Sequence, residues 1–493
     1  MKKFLSLVLA LVMTMSLVTV SAGAKDFGDS ADLSGEAYEE AVNVMSEMGI
    51  IDGYSDGDFR PQGTLTRQAA AKIIACMMLG KTTAESLGTS AAPFKDVPAG
   101  SSFAGYIAFC VERGLIDGYA DGSFRPTGTL TGFAFLKMLL GALGYDQSIE
   151  GYTGTNWTVN VAGRAYEIGL TDGNDNFVGS KACTREEAAL YAVNTLKSTL
   201  VEYANKGSSI TINGAEIVTG ASEPTYVTNT VAKEQTISSE KLTNNGGYTI
   251  ELGEKLYKNL KKISTTDDFG RPATKWTWKS ESVGTYADAA DLSYTKAVKA
   301  GDIYKDLNLS DTVAAKNVTV WVNGEQVSAA SLDIKKGSET KIGAKLYDAK
   351  NGTNGNGVLT EVFYDDVADT MVITQIVTYI GEVAKTVKAT DKRDAYVVIT
   401  AKTGDNNAYT MPKDSKGIKA SPLEFETDET FADDTYVLYT YSFKAEAVKS
   451  LAAAEKVEGY VTKTINSASD LDKNNGMTIG GTEYKMSLAT AGE

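Results

Sequence analysis

One loop sequence occurs twice in this chain, almost unchanged. Residues 49–61 read GIIDGYSDGDFRP, and residues 114–126 read GLIDGYADGSFRP. A third, divergent copy begins GLTDGNDNF at residues 169–177 and has lost two residues from its loop. Such repeats are typical of architectures in which one unit is too small to bury its own apolar face, so that neighbouring units share a core. The chain is therefore predicted to begin with a small repeat domain.

Each repeat is predicted to form a helix, a loop and a second helix. In the first repeat, Tyr38, Val42 and Met45 recur at the spacing of one helical face. A glycine follows each first helix, where the chain needs a left-handed residue. Thr184 and Glu187 have the spacing of a capping box, which marks the start of a helix. The predicted first helices span 38–48, 103–113 and 157–168, and the predicted second helices span 66–79, 131–143 and 184–200.

The N-terminus has the parts of a secretory signal peptide. Two lysines follow Met1, an uncharged apolar run extends from residue 4 to about residue 20, and small residues fill positions 21–24. Residues 1–24 are therefore predicted to be a signal peptide that is cleaved after Ala24. The apolar run is short for a retained membrane anchor, and no membrane span is expected after cleavage.

The composition limits the kinds of function that are expected. The chain has 48 basic and 63 acidic residues, which gives a net charge of −15. Such a surface repels phosphate backbones, so nucleic acid is not expected as a partner. The chain has no histidine, the most common general base and metal ligand, and this lowers the expectation of an enzyme. The three cysteines are expected to be small buried residues rather than members of a disulfide.

After about residue 205, short alternating apolar runs replace the helical pattern. Asn-Gly pairs stand between such runs at 213–214 and 323–324, and this pattern predicts β-hairpins. One helix is predicted from leucines at four-residue spacing, and a second, short helix is predicted at 445–456. The helix-forming leucines are Leu252, Leu256 and Leu260.

The repeats resemble the S-layer homology (SLH) domain. The resemblance is carried by Phe-x-Asp openings at 27–29 and 94–96, by the two loops described above, and by the Thr-Arg-x-x-Ala helix start at Thr66. It covers about a third of the chain. It implies a pseudo-threefold, all-α SLH trimer that binds secondary cell-wall polysaccharide, often pyruvylated, in grooves between adjacent repeats.

The predicted fold class is therefore multidomain, with helix–loop–helix repeats followed by β-rich modules of sandwich or barrel type. The predicted parts are a signal peptide at 1–24, SLH repeats at 25–85, 90–147 and 148–204, a β-rich module with one helix at 206–305, a second β-rich module at 312–455, and the start of a further, truncated β module at 456–493.

The resemblance also implies which residues bind the polysaccharide. The arginine of the family's Thr-Arg-x-Glu motif corresponds to Arg67 and Arg185, and the residues that follow are Gln68 and Glu186. A guanidinium group can hold a pyruvyl carboxylate through two parallel hydrogen bonds. Gly132 stands at the arginine position of the second repeat, so the grooves are expected to be unequal, and the one that depends on Gly132 is expected to be weak or inactive.

Several aromatic residues are candidates for stacking on a sugar ring. Trp157 begins the third repeat, and Tyr54 and Tyr119 lie in the repeated loops. Tyr38 and Phe103, which begin the first two repeats, are expected to lie in the core instead.

The acidic loop residues Asp52, Asp56 and Asp58 do not have the spacing of a calcium loop and are expected to form turns. No catalytic group, metal site or cofactor is predicted from the sequence.

Two interpretations of function remain open. The first is a secreted structural protein of the cell surface, anchored non-covalently to wall polysaccharide by three SLH repeats and able to self-assemble into a surface layer (S-layer). The second is a wall-anchored extracellular enzyme, such as a glycoside hydrolase, or an adhesin whose active module lies in the β region or beyond residue 493. The absence of histidine and of a recognisable active-site motif favours the first interpretation.

Overall fold

The structure is a computed structural model in which the described residues form two compact units. It describes residues 27–90, 94–212, 215–229, 247–295, 298–328, 334–338, 357–390, 392–401, 423–427, 429–455, 457–465 and 476–485. The N-terminal unit comprises the described residues of 21–263 and 275–286. The C-terminal unit comprises those of 264–274 and 287–493.

The repeats are helical, as the sequence predicts. Each contributes a first helix and a second helix on either side of its loop, and a short helix follows the second helix of the first repeat. In chain order the helices are α1 (Glu36–Glu47), α2 (Arg67–Leu79), α3 (Lys81–Glu85), α4 (Ala104–Glu112), α5 (Gly132–Leu143), α6 (Trp157–Glu167) and α7 (Arg185–Lys197).

Each second helix begins after a threonine cap. Thr66 and Thr131 accept a hydrogen bond on the side-chain oxygen from the amide three residues later, at 3.3 Å in both cases. Thr184 accepts in the same way from Glu187, whose carboxylate accepts from the Thr184 amide at 2.8 Å, so the predicted capping box is confirmed. The glycines after the first helices have φ of +70°, +66° and +71°, a region that other residues enter only at a cost. They are Gly49, Gly114 and Gly169.

The segments just before these three helices bind one another in a closed ring. The amide of Leu65 donates to the carbonyl oxygen of Cys183 at 2.8 Å. The amide of Leu130 donates to Leu65 at 2.9 Å, and the amide of Cys183 donates to Leu130 at 2.9 Å. All three side chains are buried. Because each segment donates to one neighbour and accepts from the other, the ring holds the first turns of α2, α5 and α7 close together.

Part of the region predicted as a separate module at 206–305 packs into the same core as the helices. The hydroxyl of Tyr257 donates to the carbonyl oxygen of Cys76 at 2.8 Å. The indole nitrogen of Trp276, whose side chain is fully buried, donates to Glu40 at 2.6 Å. The helical core of this unit therefore extends beyond the repeats.

The strands after the repeats form small sheets. β1 pairs with β4, β2 with β3 and β5 with β6, all antiparallel, and β7, β8 and β9 form a three-stranded sheet. The elements are β1 (Val201–Tyr203), β2 (Ser208–Ile212), β3 (Ala215–Thr219), β4 (Pro224–Tyr226), β5 (Thr228–Asn229), β6 (Tyr248–Thr249), α8 (Leu252–Leu256), β7 (Leu260–Thr266), β8 (Pro272–Trp278) and β9 (Glu281–Ala287).

The C-terminal unit is built around one long strand. β14 pairs with β11 in parallel and with β13, β15 and β17 in antiparallel orientation, within a nine-stranded sheet, and β19 to β21 form a separate three-stranded sheet. The elements are β10 (Leu292–Tyr294), α9 (Ala300–Asp306), β11 (Val318–Val322), β12 (Glu325–Val327), β13 (Val358–Asp365), β14 (Thr370–Val387), β15 (Tyr396–Ala401), β16 (Leu423–Glu426), β17 (Tyr436–Ser442), β18 (Ala447–Ala453), β19 (Val461–Ile465), β20 (Gly476–Ile479) and β21 (Thr482–Lys485).

The coarse fold prediction, helices followed by a β-rich region, is confirmed, and so are both predicted hairpin pairings. Two local predictions are wrong. The helix predicted from Leu252 to Leu260 ends at Leu256, because Tyr257 leaves helical geometry. The helix predicted at 445–456 is instead strand β18, in which Val448 and Ser450 are buried alternately against β17.

The cysteines match their prediction. Cys76, Cys110 and Cys183 are buried free thiols. Burial raises the pKa of Cys76 to about 11 and that of Cys110 to about 12, which keeps both protonated and unreactive. Among the helices of the described residues, none has both the length and the apolar character needed to cross a membrane.

Candidate functional site at the junctions between repeats

The loop of one repeat meets the first turn of a second helix from another repeat at three places. We name each place by the first residue of that helix. In the Arg67 junction, α2 meets the loop of the second repeat. In the Arg185 junction, α7 meets the loop of the first repeat. In the Gly132 junction, α5 meets the loop of the third repeat.

An aspartate from the Phe-x-Asp opening shapes each of the two well-matched loops. The carboxylate of Asp29 accepts from the amides of Phe59 at 2.8 Å and Arg60 at 2.6 Å. Asp96 binds the corresponding amides of the second loop at 2.7 and 2.8 Å. Arg60 and Arg125 are thereby held at φ of +57° and +56°, a conformation that non-glycine residues seldom adopt. Strain of this kind is common at functional sites.

Arg185 reaches across its junction and binds the backbone of the first loop. Its Nε donates to the carbonyl oxygen of Phe59 at 2.8 Å, and its Nη2 donates to the carbonyl oxygen of Asp52 at 2.8 Å. The guanidinium carbon lies 4.8 Å from the ring centroid of Tyr54. Arg185 therefore fixes the loop and also lies against its exposed aromatic ring.

Arg67 makes the same contacts with the second loop. Its Nε donates to the carbonyl oxygen of Phe124 at 2.7 Å, and its Nη2 donates to that of Asp117 at 2.6 Å. The guanidinium carbon lies 5.0 Å from the ring centroid of Tyr119. Burial lowers the pKa of both Arg67 and Arg185, although a guanidinium remains charged at neutral pH. Within the described residues, neither arginine uses its Nη1 in a hydrogen bond.

A second arginine lies close to each tyrosine ring. The guanidinium of Arg60 lies 4.0 Å from the centroid of Tyr54, and that of Arg125 lies 3.9 Å from the centroid of Tyr119. The two tyrosines are 43% and 42% exposed, so each junction presents an accessible aromatic ring with two cations beside it. The sequence analysis missed Arg60 and Arg125, although both occupy the same position of the repeated loop.

The Gly132 junction has neither arginine. The ring of Phe133 packs edge-on against Phe177, with centroids 5.8 Å apart. A Cβ atom at Gly132 would lie 3.1 Å from the Phe177 ring and 3.2 Å from Cα of Gly179. Val178 stands where the other loops have Arg60 and Arg125. Aromatic packing therefore replaces the cations at this junction.

The residues that follow the two arginines differ from each other. Glu186 is buried, and its carboxylate accepts from the Ser34 amide at 3.0 Å, the Ser34 hydroxyl at 2.6 Å and Gln62 at 2.7 Å. It therefore holds the segment that leads into α1. Gln68 is partly buried, and its backbone N–H donates to the carbonyl oxygen of Pro126 at 2.9 Å.

Trp157 is not a member of either arginine–tyrosine stack. It is the first residue of α6, is partly exposed and packs at the edge of the core. The ammonium group of Lys137 lies 5.9 Å from its ring centroid. Tyr38 is buried and Phe103 is partly buried against the core, as predicted.

The acidic residues of the loops have partners within the chain. Burial acts to raise the pKa of Asp52, but hydrogen bonds from Lys81 and Lys72 outweigh it and the pKa is lowered. Hydrogen bonds from Ser123 hold the pKa of Asp121 at about 2. Within the residues that the structure describes, no group of His, Cys, Asp and Glu side chains has the arrangement of a metal site.

The sequence profile of the S-layer homology domain matches residues 27–71 and 93–136. The chain contains S-layer homology domains. The matched segments include both arginine–tyrosine loops and Arg67, whereas Trp157 and Arg185 lie outside them.

The curated relatives are surface proteins of bacteria. The "Surface layer protein" of Brevibacillus choshinensis is 25% identical over 215 residues, which cover 43% of this chain and 18% of that protein. The "Cell surface protein" of Thermoanaerobacter kivui is 24% identical over 379 residues, covering 74% and 47%. The "S-layer protein sap" of Bacillus anthracis is 25% identical over 360 residues, covering 69% and 42%. The chain thus spans less than half the length of each of these relatives.

Proposed function

We propose that this chain is a secreted structural protein of the cell surface, anchored non-covalently by a pseudo-threefold domain of three SLH repeats to a secondary cell-wall polysaccharide. The observation that carries the proposal is the exposed tyrosine with two arginines beside it, built in the same way at the Arg67 and Arg185 junctions. The closed ring of backbone hydrogen bonds and the surface-protein relatives support it.

The chemistry of the junctions suits an acidic saccharide. An aromatic face packs against the C–H groups of a sugar ring, and a guanidinium group binds a carboxylate through charge-assisted hydrogen bonds. A pyruvyl ketal on the polymer would supply that carboxylate. Tyr54 and Tyr119 contact the sugar ring, while Arg60 and Arg125 meet the acidic group.

The remaining site residues have supporting roles. Arg67 and Arg185 position the loops and offer Nη1 to the ligand. Gln68 borders the Arg67 junction, and Glu186 stabilises the Arg185 junction through its hydrogen bonds with Ser34. The Gly132 junction does not bind the polysaccharide, because Phe133 and Phe177 fill the place of the cations.

The β-rich region serves as the structural part of the surface layer, and copies of the chain self-assemble there. The acidic composition suits a protein that stays soluble until it assembles. Catalysis is not part of this proposal.

Co-sedimentation of the whole protein with purified cell walls tests the proposal. The protein should pellet with intact walls and stay in the supernatant once the non-peptidoglycan polymer has been extracted. A Tyr54→Ala/Tyr119→Ala variant should pellet weakly, whereas the exposed Tyr166→Ala, on the outer face of α6, is a matched control that should pellet like the wild type. Equal retention on polymer-free peptidoglycan would count against the proposal.

A further inference from the structure

The two arginine-bearing junctions differ in one cation. Lys72 and Lys137 occupy equivalent positions, each five residues after the first residue of its helix, α2 or α5. Asp52 and Asp117 are likewise equivalent, since each is the first aspartate of its repeated loop. The two lysine–aspartate pairs therefore allow a direct comparison within one chain.

In the first repeat, the lysine is already engaged. The carboxylate of Asp52 accepts from Lys72 at 3.0 Å on one oxygen and from Lys81 at 2.9 Å on the other. Lys72 therefore already has an anionic partner at the Arg185 junction, where the backbone carbonyl of Asp52 also accepts from Arg185.

In the second repeat, the equivalent lysine is not engaged. Among the residues that the structure describes, none forms an ion pair or a hydrogen bond with Lys137, and the side chain is partly buried. The place of Lys81 is taken by Asp146, which pairs with Lys206 at 3.2 Å. Burying an ammonium group without a partner is unfavourable, and burial lowers the pKa of Lys137. A bound anion would remove this penalty.

The residues that interact with Lys137 place it at the Arg67 junction. The negative charge of Asp117 partly opposes the effect of burial on the pKa of Lys137, and Arg67 donates to the backbone carbonyl of the same Asp117 at 2.6 Å. The ring centroid of the partly exposed Trp157 lies 5.9 Å from the ammonium nitrogen of Lys137. In the second repeat, the residue that corresponds to Trp157 is Phe103. Among the three junctions as the structure describes them, only the Arg67 junction therefore combines a tryptophan with a lysine that has no ion pair or hydrogen bond.

We propose that Lys137, Trp157 and Asp117 form an additional saccharide subsite that extends the Arg67 junction. The subsite takes a sugar unit with an acidic substituent: the ring packs on Trp157, the acidic group meets Lys137, and a hydroxyl donates to Asp117. This inference rests on the proposed function of the junctions. The Arg67 junction consequently binds a longer segment of the polymer than the Arg185 junction does.

The test compares two matched lysine variants of the whole protein by isothermal titration calorimetry. The probe is a set of short oligosaccharides released from the wall polymer, with and without removal of their acidic substituents. Lys137→Met keeps the apolar stem and should weaken the tighter of the two binding events about tenfold for the untreated probe. It should cause no loss for the probe without acidic groups. Lys72→Met should leave the tighter event unchanged within twofold.

Thermal unfolding of both variants provides the control for folding. Lys137→Met should be at least as stable as the wild type, because it removes an unpaired, partly buried charge. If the wild type fails to bind the probe, the proposed function itself is contradicted. If the wild type binds and Lys137→Met binds equally well, the subsite is overturned while the function stands.

Discussion

The substitution Arg67→Ala tests whether this side chain is a structural clamp between repeats. It removes two short charge-assisted hydrogen bonds, at 2.7 and 2.6 Å, to the carbonyl oxygens of Phe124 and Asp117. Hydrogen bonds to charged groups contribute about 1.5–3 kcal/mol each to stability. Arg67 as a whole is only 9% exposed, and the variant recovers part of the desolvation penalty of the guanidinium. The net loss in the free energy of unfolding is therefore expected to be about 2–4 kcal/mol.

This loss is large enough to measure by calorimetry. For a unit of this size, about 2–4 °C of melting temperature corresponds to 1 kcal/mol, so the transition of the N-terminal unit should fall by roughly 4–16 °C. Arg67→Lys should not restore it, because one ammonium group cannot reproduce the planar fork that meets two carbonyl oxygens.

Arg125→Ala is the matched control for Arg67→Ala. Arg125 lies on the same tyrosine, but its ion pair with Asp121 spans 3.5 Å and both side chains are more than half exposed. Exposed pairs of this kind contribute less than about 1 kcal/mol. If Arg67→Ala unfolds at the same temperature as the wild type, the reasoning that assigns Arg67 to the loop is refuted.

Three further predictions concern strain, pH and the extent of the core. Replacing both Arg60 and Arg125 by glycine should keep or raise thermal stability, because glycine readily adopts their positive φ. Wall binding measured by co-sedimentation should nevertheless drop. Unchanged binding would contradict the role of these two arginines as ligands of the polysaccharide. Burial raises the pKa of Glu251 to about 8, so its protonated form is favoured by folding and stability should fall as pH rises from about 5 to 8. Glu251→Gln should flatten that part of the pH–stability curve and raise the free energy of unfolding by up to a few kcal/mol at pH 8. If urea unfolding shows the same dependence of this free energy on pH in the variant and the wild type, the assignment is contradicted. Tyr257→Phe should cost about 1–2 kcal/mol of unfolding free energy, because the buried hydroxyl shares its one proton between the carbonyl oxygens of Cys76 and Met77, near the end of α2. A neutral result would show that this segment is not part of the core.

Local signals explain why much of the repeat region could be predicted from the sequence. A threonine cap, a glycine in the left-handed region and an Asn-Gly turn each act through residues only a few positions apart. The starts of α2, α5 and α7 and the hairpin at Asn323–Gly324, with φ of +49° and +83°, follow from such signals. The helix predicted at 445–456 failed because pairing with a neighbouring strand decided the outcome there.

The site depends on partners that are distant in the sequence. Arg185 binds the carbonyl oxygen of Asp52, 133 residues away, and Glu186 binds Ser34, 152 residues away. Spacing along the chain cannot reveal such contacts, so the analysis of the sequence identified the arginines but not their use as clamps. The repeated position of Arg60 and Arg125 was the available signal for the second cation, because both copies of the loop have an arginine there.

The number of ligands bound per chain tests the central claim most directly. Isothermal titration of the whole protein with a short acidic oligosaccharide from the wall polymer should give two binding events, one at the Arg67 junction and one at the Arg185 junction. Each event should disappear when the tyrosine of its own loop, Tyr119 or Tyr54, is replaced by alanine. Three events, or binding that persists in the double variant, would contradict the account.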